Sequence, residues 1–189
     1  MSDRSSPSRA VRRAGVVALV LAGVLLAGAG GSPLQSPVKA VSAPDFRQPG
    51  LERDRVRLAD YRGKVVVLNF WATWCPYCRR EIPHLVDLQA ELGDRGLQVV
   101  GAAMNWKINS REPNDPEIFQ QKVSSFALEH GLNYPVSLVK RDMGEVMGGF
   151  GSPVGVPYTV LIDRKGRIRA TFQGNPGAER LRRAVQVLL

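Results

Sequence analysis

The chain has 189 residues, 44% of them hydrophobic, which suits one globular domain plus a tail. Its formal net charge is +9, but residues 1–31 hold four arginines against Asp3 alone, leaving 22 basic and 16 acidic residues beyond them, a balance of +6. Those basic residues are dispersed and no nucleic-acid motif accompanies them, which sets a nucleic-acid partner aside.

Arg4, Arg9, Arg12 and Arg13 precede Ala14–Gly31, a run without charge. Arginines before an apolar run stay on the cytoplasmic side, so the rest of the chain is expected to cross the membrane. Ala27-Gly28-Ala29 fits a small-residue cleavage site, and only eight of the eighteen residues are Val or Leu. A spanning helix wants about twenty mostly apolar residues, so the run is a marginal anchor, and cleaved signal and membrane tether both stay open. No cysteine near its end permits a lipoprotein anchor. Residues 32–45 read as a Pro- and Ser-rich linker, and a single domain is expected over 46–189.

Val65–Phe70 is an apolar run suited to a buried central strand. A helix is expected from about Cys75 to Leu92, with Ile82, Leu85, Val86, Leu88 and Leu92 at helical spacing, Pro83 kinking it and Gly93 ending it. Leu97–Met104 is a second strand, and strand–helix–strand order implies a parallel pair. Residues 105–115 form a polar loop containing Pro113 and Asn114, and Trp106 in it packs or borders a cleft. Pro116 opens a second helix to about His130, closed by Gly131. Val136–Val139 is a short strand and Met143–Phe150 a helical turn. Tyr158–Ile162 and Arg167–Phe172 form a hairpin across Asp163-Arg164-Lys165-Gly166, and a helix from about Pro176 closes the chain. The expected fold class is α/β: a mixed central sheet with helices on both faces and a helix inserted between β-α-β and β-β-α halves.

The chain's two cysteines, Cys75 and Cys78, both lie beyond the export segment, in a compartment where disulfides persist. A bridge enclosing two residues staples almost nothing, so structure is a poor reason to keep the pair. A thiolate, not a thiol, attacks a disulfide, and a cysteine at the first turn of a helix has unpaired N–H groups and the positive dipole end beside it. Pro76 suits the first helical position, and Arg79 and Arg80 add positive charge. Cys75 is therefore read as the nucleophile, and Cys78, on the same side of the helix, as the thiol that resolves a mixed disulfide. Zinc would need two further ligands, and the histidines are only His84 and His130, of which His84 reads as a helix-surface residue. Haem attachment needs a histidine directly after Cys78, where Arg79 stands. Inert buried thiols remain the bland alternative.

The segment Asn69-Phe70-Trp71-Ala72-Thr73-Trp74-Cys75-Pro76-Tyr77-Cys78-Arg79-Arg80-Glu81 resembles the active-site segment of the thioredoxin superfamily. It is most similar to the membrane-tethered, TlpA/ResA-like thiol–disulfide oxidoreductases of bacteria. The similarity runs from about Phe46 to the C-terminus and includes Leu58–Lys64 and Gly155-Val156-Pro157-Tyr158-Thr159. A thioredoxin-like fold is implied. So is a cis Pro157 facing the cysteines, with the Val156 backbone before it pairing with an extended substrate; an ordinary trans proline is the alternative. Trp74, Pro76 and Tyr77 are implied substrate contacts, and Tyr77 also tunes potential. Where thioredoxins proper carry a buried aspartate this chain has Asn69, which cannot relay a proton. Glu81 matches an active-site acid of the tethered reductases and could accept the proton of Cys78, or be an ordinary solvated helix residue.

The expected activity is that of a protein-disulfide reductase or interchange protein, needing no cofactor beyond a Cys75–Cys78 disulfide. The resemblance implies electrons from a membrane thiol donor and exported protein substrates, such as apocytochrome c or a copper-site assembly protein, handled by a monomer. A net oxidase stays open, since potentials within one fold range from about −270 to −120 mV. So does a Cu(I)-handling module, which lacks an obvious third ligand. Peroxidase chemistry has no motif beyond the shared fold.

Overall fold

The computed structural model describes residues 41–105, 115–140 and 143–189. The export segment, all but the end of the linker, Trp106, Pro113 and Asn114 lie outside them. In chain order the strands are β1 (Val41–Ser42), β2 (Arg47–Pro49), β3 (Arg55–Arg57), β4 (Val65–Trp71), β5 (Leu97–Met104), β6 (Val136–Val139), β7 (Tyr158–Ile162) and β8 (Arg167–Gln173). The α-helices are α1 (Pro76–Leu92), α2 (Pro116–Glu129), α3 (Met143–Met147) and α4 (Ala178–Gln186).

Six strands form one mixed sheet in the order β1-β8-β7-β4-β5-β6. β4 is central and wholly buried, parallel to β5 and antiparallel to β7. The crossovers β4–α1–β5 and β5–α2–β6 step the same way across the sheet, and right-handed connections of that kind leave both helices on one face. Accordingly Val65, Val67 and Trp71 pack with Ile82 and Leu85 of α1, Val123 and Phe126 of α2, and Leu181 and Val185 of α4. The alternate residues Val66, Leu68 and Phe70 face the other way, onto Phe46, Val56, Leu58, Met147 and Phe150. Helices thus cover both faces, and the inserted helix shares its face with α1.

Two details depart from the sequence reading. Val41 and Ser42 pair with Ile168 and Arg167, so strand pairing begins inside the segment read as linker; ladder bonds use the backbone and require no apolar pattern. β2 and β3 form an unexpected hairpin in which Val56 alone is fully buried. The chain between them bridges Gly50 to Ser137, and Leu51 N–H donates to Val136 O at 2.9 Å, which covers part of the free edge of β6. As read, α1 ends at Gly93, which is right-handed and leads into a 3-10 turn, and Gly96, at φ 101°, makes the reversal into β5. Among the described residues no helix is long and apolar enough to cross a membrane.

Candidate active site

The site lies where β4 ends and α1 begins. β4 is a buried strand because Val65–Trp71 offers no polar break except Asn69. Cys75 is the N-cap of α1 with extended backbone (φ −83°, ψ 115°), and Pro76 opens the helix, where a missing N–H is harmless. The Cys78 N–H donates to Cys75 Sγ at 3.3 Å, so the sulfur takes the place of the usual capping oxygen. α1 continues past Pro83 to Leu92.

Both cysteines are free thiols. Cys75 is 3% exposed and Cys78 fully buried, while Trp74, Pro76 and Tyr77 beside them are exposed. The Val156–Pro157 bond is cis, and Cys75 Sγ lies 3.5 Å from the Val156 carbonyl oxygen. The loop before β7 therefore meets the cysteines although it lies about eighty residues away in the chain. Arg79 donates to Thr73 O at 3.0 Å and sits over the Phe126 ring, while Arg80 sits over Tyr77.

Beneath the cysteines is a polar triad. Glu81 is 1% exposed, which rules out the solvated-helix alternative. Its Oε2 accepts from Asn69 Nδ2 at 3.0 Å and its Oε1 from the Thr159 hydroxyl at 3.0 Å. Asn69 Nδ2 also donates to Thr159 Oγ1 at 2.9 Å. Burial pushes the Glu81 carboxyl up to about 7, against the pull of the hydrogen bonds from Thr159 and Asn69. Burial also pushes the Cys78 thiol far above the ordinary thiol range, and the hydrogen bond with Cys75 and the Glu81 charge add to the rise. A proton thus stays on Cys78 until a base takes it, and Glu81, which titrates near neutrality, is within electrostatic reach.

Thr159 carries a contact that its sequence position did not announce. The antiparallel β4–β7 register sets it opposite Asn69, and only that pairing brings it to the carboxylate. Tyr134, buried just before β6, feels the same carboxylate: burial raises its phenol and the Glu81 charge raises it further. His84 is half-buried on α1, and His130 stacks on Phe126. Among the described residues no three His, Cys, Asp or Glu side chains converge as a metal site.

The AhpC/TSA family matches residues 40–171. The thiol-disulfide oxidoreductase ResA of Geobacillus thermodenitrificans is 34% identical over 146 residues, 77% of this chain and 75% of that one. ResA of Oceanobacillus iheyensis is 29% identical over 95% of this chain and 88% of its own. Among solved structures, a thiol:disulfide interchange protein of the thioredoxin family from Chlorobium tepidum superposes with a TM-score of 0.65 at 27% identity, covering 80% of this chain and 97% of that one. A DsbF homologue from Corynebacterium diphtheriae gives 0.66 at 29% identity, covering 79% and 88%.

Proposed function

This chain belongs to the thioredoxin-like AhpC/TSA family and is a thiol–disulfide oxidoreductase, and from that premise we propose that it reduces disulfides of exported proteins outside the cytoplasmic membrane. The observation that carries the direction is Cys78, buried beside the Glu81 carboxylate. Strongly oxidising members of such folds owe their potential to a stabilised reduced form, above all a stabilised thiolate. At Cys78 burial and a neighbouring negative charge supply no such stabilised thiolate, which agrees with the reductase direction.

The cycle has three steps. Cys75 Sγ, as thiolate, attacks one sulfur of a substrate disulfide, and the other substrate sulfur leaves as a thiolate that takes a proton from water. Cys78 then gives its proton to Glu81 and attacks Cys75 Sγ. The Cys75–Cys78 disulfide forms and the substrate's second sulfur departs as a thiolate that takes up a proton from water. Glu81 gives its own proton back to water, and the substrate leaves two electrons richer in all. A membrane thiol donor returns the pair to the dithiol. The Val156 carbonyl and the exposed Trp74, Pro76 and Tyr77 surround Cys75 and would hold an extended substrate segment. Residues 14–31 would export the domain and tether it or be cleaved, and apocytochrome c is the favoured substrate.

The test is the redox state of the pair in cells, trapped by acid and alkylated. A mostly dithiol population is expected, and a mostly disulfide population in growing cells would overturn the reductase direction. Loss of the protein should also lower haem-bound c-type cytochrome and be corrected by an added thiol reductant.

A further inference from the structure

Among the described residues three buried side-chain polar atoms lack a protein hydrogen-bond partner: Asn69 Oδ1, Trp71 Nε1 and Tyr134 Oη. They fall in one neighbourhood. Asn69 and Trp71 are two residues apart on β4 and so share a face of the sheet. Gly101 of β5 stands opposite Asn69 in the parallel register. A Cβ on Gly101 would meet Trp71 Nε1 at 3.0 Å and Tyr134 Cε2 at 3.3 Å. The Gly101 N–H donates to Pro135 O at 2.9 Å and its carbonyl accepts from Ser137 Oγ at 3.1 Å, which fixes the segment after Tyr134 against it. Gly101 lies within a regular strand and its φ is not positive, so the backbone does not demand glycine there. A glycine inside a strand marks a close approach, here by the Trp71 indole and the Tyr134 ring.

Hydrogen-bond arithmetic identifies the occupant. Both N–H groups of the Asn69 amide are engaged, one by Glu81 Oε2 and one by Thr159 Oγ1, so Oδ1 must turn away from the carboxylate. That leaves one acceptor-only atom, one donor-only indole N–H and one phenol able to act either way. A single water satisfies all three: it accepts from Trp71, donates to Asn69 Oδ1 and bonds Tyr134 Oη in either sense. Three bonds is the usual complement of an internal water. The geometry points to a water-binding site beside Gly101, built by Asn69, Trp71 and Tyr134, which locks the Asn69 amide with its N–H groups toward Glu81.

Trp71 and Tyr134 are then positioning residues for the acid, acting through Asn69. If the lock fails and the amide turns over, an oxygen instead of an N–H faces the carboxylate, which disfavours its ionised form. The titratable groups facing Glu81 are Cys78 on its own helix and Tyr134 before β6, whereas its partners from β4 and β7 are neutral. Only the kinetic consequence of this site rests on Glu81 accepting the Cys78 proton.

The experiment is NMR of the full chain. The Trp71 indole proton should show a direct cross-peak to a long-lived water, and the Glu81 side-chain carbon should titrate near neutrality. Gly101→Ala, whose methyl would press on Trp71 Nε1 and the Tyr134 ring, should remove the cross-peak and raise the Glu81 midpoint by about half a pH unit or more. Tyr134→Phe, which deletes one oxygen and keeps the ring, should shift it the same way by less. No cross-peak in the unaltered chain overturns the water, and a midpoint unmoved by both substitutions overturns the positioning role. Should the site behave as stated while Glu81→Gln leaves resolution of mixed disulfides unchanged, the proton step fails and the water site stands.

Discussion

The two faces of the central sheet are both buried and largely apolar, but only one of them also buries a cluster of polar groups. On one, Phe46, Phe70, Phe150 and Tyr158 form a ring cluster with centroids 5.6–6.3 Å apart. Its polar atom, the Tyr158 hydroxyl, donates to Phe150 O at 3.0 Å. On the other, beneath the cysteines, a carboxylate, an amide and a hydroxyl are buried together, with three further polar atoms unpaired within the protein. Burying such groups costs free energy that apolar packing must offset. Both faces therefore supply stability, the helix α1 face gives part of its own up for chemistry, and alternation along β4 keeps the two settings one residue apart.

The sharpest way to break that division is Phe70→Ala. It removes a ring in contact with three others and should lower stability by about 3–5 kcal/mol, read from urea unfolding. The pH profile of disulfide reduction by the folded fraction should not move. A changed profile would mean that the faces are not independent.

Next in size is Glu81→Gln. The folded-state acid constant of Glu81 is raised from 4.5 to about 7. Its stabilisation is thus fully present below pH 4.5 and is lost as pH rises through about 7, because the unfolded chain gives up that proton first. Over that window the native chain should lose on the order of 3 kcal/mol through this group, and the variant should lose that slope. Resolution of the mixed disulfide should slow by about 100-fold, the lower range for general base catalysis, measured in single turnover. A retained slope would place the titration elsewhere.

The smallest effect is expected at Asp60→Asn, which removes the exposed pairing to Arg57 at 2.7 Å, outside both clusters. Water and salt screen such pairs, so the unfolding midpoint and the reductase activity should both stay within experimental scatter. A clear loss would show that the surface contributes to the balance between the faces.

Sequence alone determined the elements whose signal is local. β4 and β5 are unbroken apolar runs, and α1 and α2 carry a proline at the first helical position. Cys75, Cys78 and Pro157 stand in motifs legible without coordinates, and Asn69 and Glu81 are marked by the positions they match in the thioredoxin-like segment. β2 and β3 stayed hidden because three-residue strands rich in arginine and proline bury one side chain, too little for any period to show. Only the tertiary structure decided that Glu81 is buried rather than solvated, that Thr159 completes its partners, and that Trp71 and Tyr134 stand around Gly101. Each of those facts depends on strand register and on which sheet face a helix covers. Register joins residues ninety positions apart, as with Asn69 and Thr159, through backbone bonds that leave no mark in the order of the side chains.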